Sequence, residues 1–154
     1  MNNFHNVTAL KVAATNTPSC LPMAVGWTKT HGEVNFGMSS FAVKDTGGLV
    51  EYVLGARLDA LIPADAHISF FKLDVEGWEC FALEGAVGLF QRKQVDIIFV
   101  EVNFNMLTKA GCSPQGLKQR LEKLCFDTSQ FPTAGPGESN DYIGRPKQGC
   151  VVNV

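Results

Sequence analysis

The segment Asp74-Val75-Glu76-Gly77 ends the apolar run Phe70-Phe71-Lys72-Leu73, and Glu101 stands near the end of a second apolar run, Val95 to Val102. These acids are the only concentrated chemistry in the chain. Carboxylates at i and i+2 share one face while the backbone stays extended. At neighbouring strand ends they can orient a hydroxyl or an amine, accept a proton, or hold a divalent cation. A structural reading stands beside this one: Asp74 or Glu76 caps the helix that follows, whose free N–H groups favour anions. Glu79 reads as first-turn helix charge. Gly77 serves a close backbone approach or a tight turn. Trp78 either covers a flat ligand or belongs to the core, and Asn103 and Asn105 either meet a substrate or shape a loop.

The elements that must position these acids follow a βα grammar. Ile68 to Val75 reads as a strand, too continuously apolar for a half-exposed edge. Trp78, Phe81, Ala82, Ala86, Leu89 and Phe90 trace the stripe of one helix, weakened by Gly85 and Gly88. Val95 to Val102 is a second buried strand. Ser113-Pro114 supplies a cap and a first-turn proline, and Leu117, Leu121 and Leu124 give the next helix its apolar face. Upstream, residues 4–14 suit a short helix or a strand. Met23-Ala24-Val25 reads as a brief buried strand, Glu33 to Phe36 as another, residues 37–48 as loop and Val50 to Val53 as a strand. Residues 126–149 read mainly as loop and Gly149 to Val154 as a final strand. Strands alternating with helices define an α/β sheet with helical crossovers.

Composition narrows the function. A chain of 154 residues suits one domain, and 45% hydrophobic content excludes a disordered signature. A net charge of −2 argues against broad nucleic-acid affinity. No apolar stretch reaches the roughly 18–20 residues of a membrane span, and the polar start is unlike a signal peptide, so the expected compartment is cytoplasmic. The five cysteines lack a CxxC pair and read as reduced, non-catalytic thiols. No metal site is assigned.

Phe71-Lys72-Leu73-Asp74-Val75-Glu76-Gly77-Trp78-Glu79, followed by Ala82-Leu83-Glu84-Gly85-Ala86, resembles the signature of FkbM-type methyltransferases. Met23-Ala24-Val25-Gly26 with Gly32-Glu33-Val34, Arg57 to Leu61, and Val95 to Val102 resemble flanking pieces of that family in order. The likeness spans residues 20–125 and makes 1–154 a single FkbM-like domain.

The resemblance implies a Rossmann-like class I fold and S-adenosyl-L-methionine as methyl donor. The acceptor would be a hydroxyl on a small molecule, sugar or lipid. It implies cofactor contacts from Met23, Ala24, Val25 and Asp74, and catalytic roles for Asp74, Glu76 and Glu101. The family's glycine-rich cofactor loop and the acid ending its second strand have no counterpart before residue 20. The chain therefore reads as the C-terminal two-thirds of such a domain, N-terminally truncated, with the first two strands missing and a partner chain able to complete the sheet. Two other classes remain open: a glycoside hydrolase using Glu76 and Glu101, and an inactive remnant or interaction module.

Overall fold

The computed structural model describes residues 6–25, 39–42, 49–133 and 139–152, and the chain is of mixed α/β class. Its strands fall into two three-stranded sheets among these residues. In the first, β1 (Ala13–Ala14) runs parallel to β3 (Leu49–Ala56), and β2 (Cys20–Val25) pairs with β3 antiparallel, Met23 opposite Glu51. A short helix, α1 (Leu58–Leu61), leads toward the second sheet. There β4 (Phe71–Leu73) runs parallel to β5 (Ile98–Asn103), which pairs antiparallel with β6 (Ser139–Gly144).

The main core lies on one face of the second sheet. Along β5, Ile98, Val100 and Val102 are fully buried, whereas Phe99, Glu101 and Asn103 point to the other face and are half-buried. This alternation is the period of two that a pleated strand imposes. The buried row meets α2 (Glu79–Glu84) and α3 (Val87–Gln91) through Leu83 and Leu89, α4 (Phe104–Ala110) through Leu107, and α5 (Pro114–Lys123) through Leu117 and Leu121. The α5 start is the one expected: Ser113 accepts the Gly116 N–H at 2.9 Å.

Several expectations are corrected. β4 is an edge strand among the described residues, and Phe70 is 55% exposed because Phe71 and Leu73 take the core side. The stripe from Trp78 to Phe90 is split into α2 and α3. At Gly85 the backbone of Thr15 comes so close that any Cβ would collide with its carbonyl, which requires glycine there. Asn103 does not merely shape a loop: its side chain accepts the Met106 N–H at 3.1 Å and caps α4. Residues 139–144 form a strand inside the expected loop, and 150–152 form none. Of the residues 4–14 read as a short helix or a strand, Ala13–Ala14 form β1, and 6–12 form neither. The strand expected at Glu33 to Phe36 lies outside the described residues.

The cysteine reading is also corrected. Cys80 is bonded to Cys112 and Cys125 to Cys150, with Cα separations of 6.3 and 5.8 Å, inside the bridging range. Only Cys20 is free. Spacing hid these pairs because the fold, not a motif, returns Cys112 to α2 and Cys150 to the end of α5.

Polar contacts clasp the two sheets together. Asn16 donates to Glu84 at 2.7 Å, and Arg120 reaches the same carboxylate at 2.6 Å. Arg57 donates to the Asn16 carbonyl at 3.0 Å and pairs with Asp59, which in turn accepts the Gly88 N–H at 3.1 Å.

Candidate active site

The carboxylates gather where β4 and β5 end. Lys72 leaves the open face of β4, and the alternation places Asp74 beside it, 2.8 Å away in an ion pair. The chain then turns sharply: Glu76 and Gly77 both adopt left-handed φ values, 50° and 96°. The Glu76 carbonyl accepts a hydrogen bond from Ser40 Oγ at 2.7 Å, which holds the turn against the first sheet. Glu101 arrives from the neighbouring strand on the same face. One oxygen each from Asp74, Glu76 and Glu101 lies within 4.8 Å of the others. Such oxygens have the spacing to surround a hard cation or to share protons among themselves.

Their environments differ. A hydrogen bond with Glu101, and then the contact with Lys72, hold the Asp74 carboxyl below the ordinary aspartate range. Burial, and then the negative charge of Asp74, push Glu76 up. Asp74 in turn raises Lys72, with Glu101 and Asp141 adding to the effect. The cluster therefore contains an acid that ionises readily beside one that keeps its proton longer, a division suited to proton handling.

A cavity of about 380 Å³ opens over these groups. Val12, Ala13, Ala14 and Met23 form the wall from the first sheet, Phe41 and Trp78 supply aromatic surface, and Asp74, Glu76 and Glu101 give it negative charge. Trp78 stacks on Phe81 at 4.1 Å between centroids and meets Phe41 at 5.4 Å, so it belongs to an aromatic cluster and to the cavity wall at once. Its indole N–H is buried without a hydrogen-bond partner among the described residues.

Of the residues expected to touch cofactor, Met23 and Asp74 share this cavity. Ala24 points the other way on β2, into an adjoining apolar cavity of about 400 Å³ that also uses Phe41 and Trp78. Val25 lines neither.

Three further residues shape the site. Lys72 is not singled out by the sequence reading, although its place two positions before Asp74 puts both on one strand face. Glu79, in place of the exposed helix charge its sequence position suggests, is only 1% exposed and accepts the Gly77 and Val75 N–H groups at 3.1 and 3.3 Å. Burial raises its pKa, an effect the backbone donors partly offset. Asp141 stands opposite Glu101 across β5 and β6, and no motif marks it in a segment whose Pro and Gly content reads as loop.

The donor set suits S-adenosyl-L-methionine in kind. Carboxylates can meet a sulfonium, an ammonium or ribose hydroxyls, aromatic faces suit a purine or a cation, and the unpartnered indole N–H remains to be satisfied. The chain belongs to the methyltransferase FkbM domain family, whose model matches residues 16–129. No curated protein and no solved structure matches it. Among the described residues no helix is long and apolar enough to cross a membrane.

Proposed function

We propose that the chain is an S-adenosyl-L-methionine-dependent methyltransferase that modifies a hydroxyl on a small molecule, sugar or lipid. The observation that carries this reading is the convergence of Asp74, Glu76 and Glu101 within 4.8 Å on a cavity they share with Met23 and Trp78. When bound, the cofactor supplies an electrophilic methyl group. Asp74, fixed by Lys72 and Glu101, orients the reactants and favours positive charge, while a carboxylate of the cluster receives or directs the acceptor's proton. Alignment supplies most of such catalysis. Phe41, Trp78 and Met23 exclude water from one side.

The parallel β4–β5 pair with intervening helices supports a Rossmann-like reading of the second sheet, and the edge of β4 is where a further strand from a partner would add. Family membership favours transfer over glycoside hydrolysis by Glu76 and Glu101. Two disulfides fit an oxidising compartment better than a reducing cytoplasm.

Calorimetric titration with S-adenosyl-L-methionine is the test. Saturable binding that weakens at least about tenfold in Asp74→Asn supports the proposal, taking the usual worth of a charge-assisted contact. Absence of binding by the wild-type chain rejects it.

A further inference from the structure

A second cavity, of about 660 Å³, lies at the opposite end of the second sheet, between the entry to β5 and the segment that follows β6. Its size is that of a small-molecule site. The buried rings of Phe90 and Phe126 close its floor, and Val151, 67% exposed, offers apolar surface along one side. Lys93, Arg145 and Lys147 stand on its rim, all exposed.

The charges at this rim are unbalanced. Asp96, an acid of the lining, is 2.9 Å from His67. Lys147 feels the charge of Asp127. Among the described residues no carboxylate lies within ion-pair distance of Lys93 or Arg145.

The wall is also built rather than draped. Asp127 N–H donates to the Arg145 carbonyl at 3.3 Å, Lys147 N–H donates to the Cys125 carbonyl at 2.7 Å, and the Cys125–Cys150 disulfide pins the far end. A wall fixed in this way binds with less ordering cost than a free loop. Residues 145–152, which form that wall, lie beyond the segment that the family model matches.

We propose that this cavity binds an amphipathic anion: a free ligand with a carboxylate or phosphate head and a short apolar body. The head is held by Lys93 and Arg145, and the body lies against Val151 over the aromatic floor. The site is independent of the carboxylate cavity and of the methyltransferase reading.

The disulfide-bonded full chain is titrated with decanoate, and binding is followed by calorimetry and by backbone amide shifts. One saturable site is expected, with shifts at Ile97, Arg145 and Lys147 to Cys150. Lys93→Glu/Arg145→Glu weakens it at least about tenfold, the scale of a lost charge-assisted contact, and uncharged decanol binds correspondingly worse. If the double reversal does not fold, Lys93→Gln/Arg145→Gln carries the same comparison. The proposal is overturned by absent saturation, by equal affinity for decanol, by shifts confined to the Asp74–Glu101 cavity, or by indifference to the charge changes. Capture on phosphatidylglycerol vesicles without decanoate binding also overturns it, assigning the cations to a membrane surface instead.

Discussion

Gly77 lies directly against Met106: a Cβ built on Gly77 would sit 2.6 Å from the Met106 carbonyl carbon and oxygen. The residue also holds φ at 96°, where a side chain is strained. This contact seats the acidic turn on the first turn of α4. Gly77→Ala is therefore expected to cost about 2 kcal/mol or more, through both strain and collision. Urea unfolding reads the loss, and on the proposed function S-adenosyl-L-methionine affinity should fall beyond what the loss of folded protein explains, because Glu76 shares the turn.

Glu79 gives a second prediction. Its folded pKa is raised above the unfolded value, so its stabilising contribution is full below about pH 4.3 and is lost as pH rises through the folded pKa. Glu79→Gln keeps an acceptor for the Gly77 and Val75 N–H groups and abolishes that loss. At pH 7 it should be as stable as wild type or more so. Glu79→Ala removes the one oxygen that accepts both N–H groups and opens a void, costing about 2–4 kcal/mol. Melting curves taken from below about pH 4.3 upward distinguish the two variants.

Asp74 behaves with the opposite sign. Its folded pKa is depressed, so its contribution is present above about pH 3.9 and disappears as pH falls through the lower folded value. Asp74→Asn should flatten the acid limb of the stability profile, measured by chemical denaturation at successive pH values, while leaving the fold at pH 7 intact.

Tyr142 is 1% exposed and donates to the Asp127 carbonyl at 2.6 Å. Burial, then the charge of Asp127, push its pKa up to about 12. Stability tied to its proton is present below the ordinary value near 10 and is lost as pH rises through about 12. Tyr142→Phe should remove that alkaline loss in melts taken on either side of the window, at the expense of a hydrogen bond worth about 1 kcal/mol at neutral pH.

The cysteines supply a count. Thiol titration of the unfolded, unreduced chain should find one group, Cys20, and five after reduction. Cys150→Ser opens a loop with a sequence separation of 25 residues and should cost about 2–4 kcal/mol on the chain-entropy account. A result of five thiols before reduction would remove both bridges.

The carboxylate cluster is more legible in the sequence than its supports. Asp74, Glu76 and Glu101 were recoverable because apolar runs ending in acid mark strand ends, and the structure brings all three together. The helix at 114–123 was recoverable from Ser113, Pro114 and the leucine spacing. What escaped depended on distant contacts. Thr15 pressing on Gly85 divides a helix whose stripe reads as continuous. Tyr142, packed 5.5 Å from Phe131, anchors a strand that flanking Pro and Gly residues disguise as loop. The disulfides join cysteines that no local spacing relates.

The walls of the carboxylate cavity come from different sheets: Val12 to Ala14 and Met23 from one, Asp74 and Glu101 from the other. The walls are held together by the Ser40 hydrogen bond to the Glu76 carbonyl and, farther off, by the seam where Asn16, Glu84 and Arg120 meet. A ligand touching both walls becomes a mechanical tie across that seam. Occupancy then adds to the resistance of the seam to opening, readable as slower amide exchange at positions remote from the ligand itself.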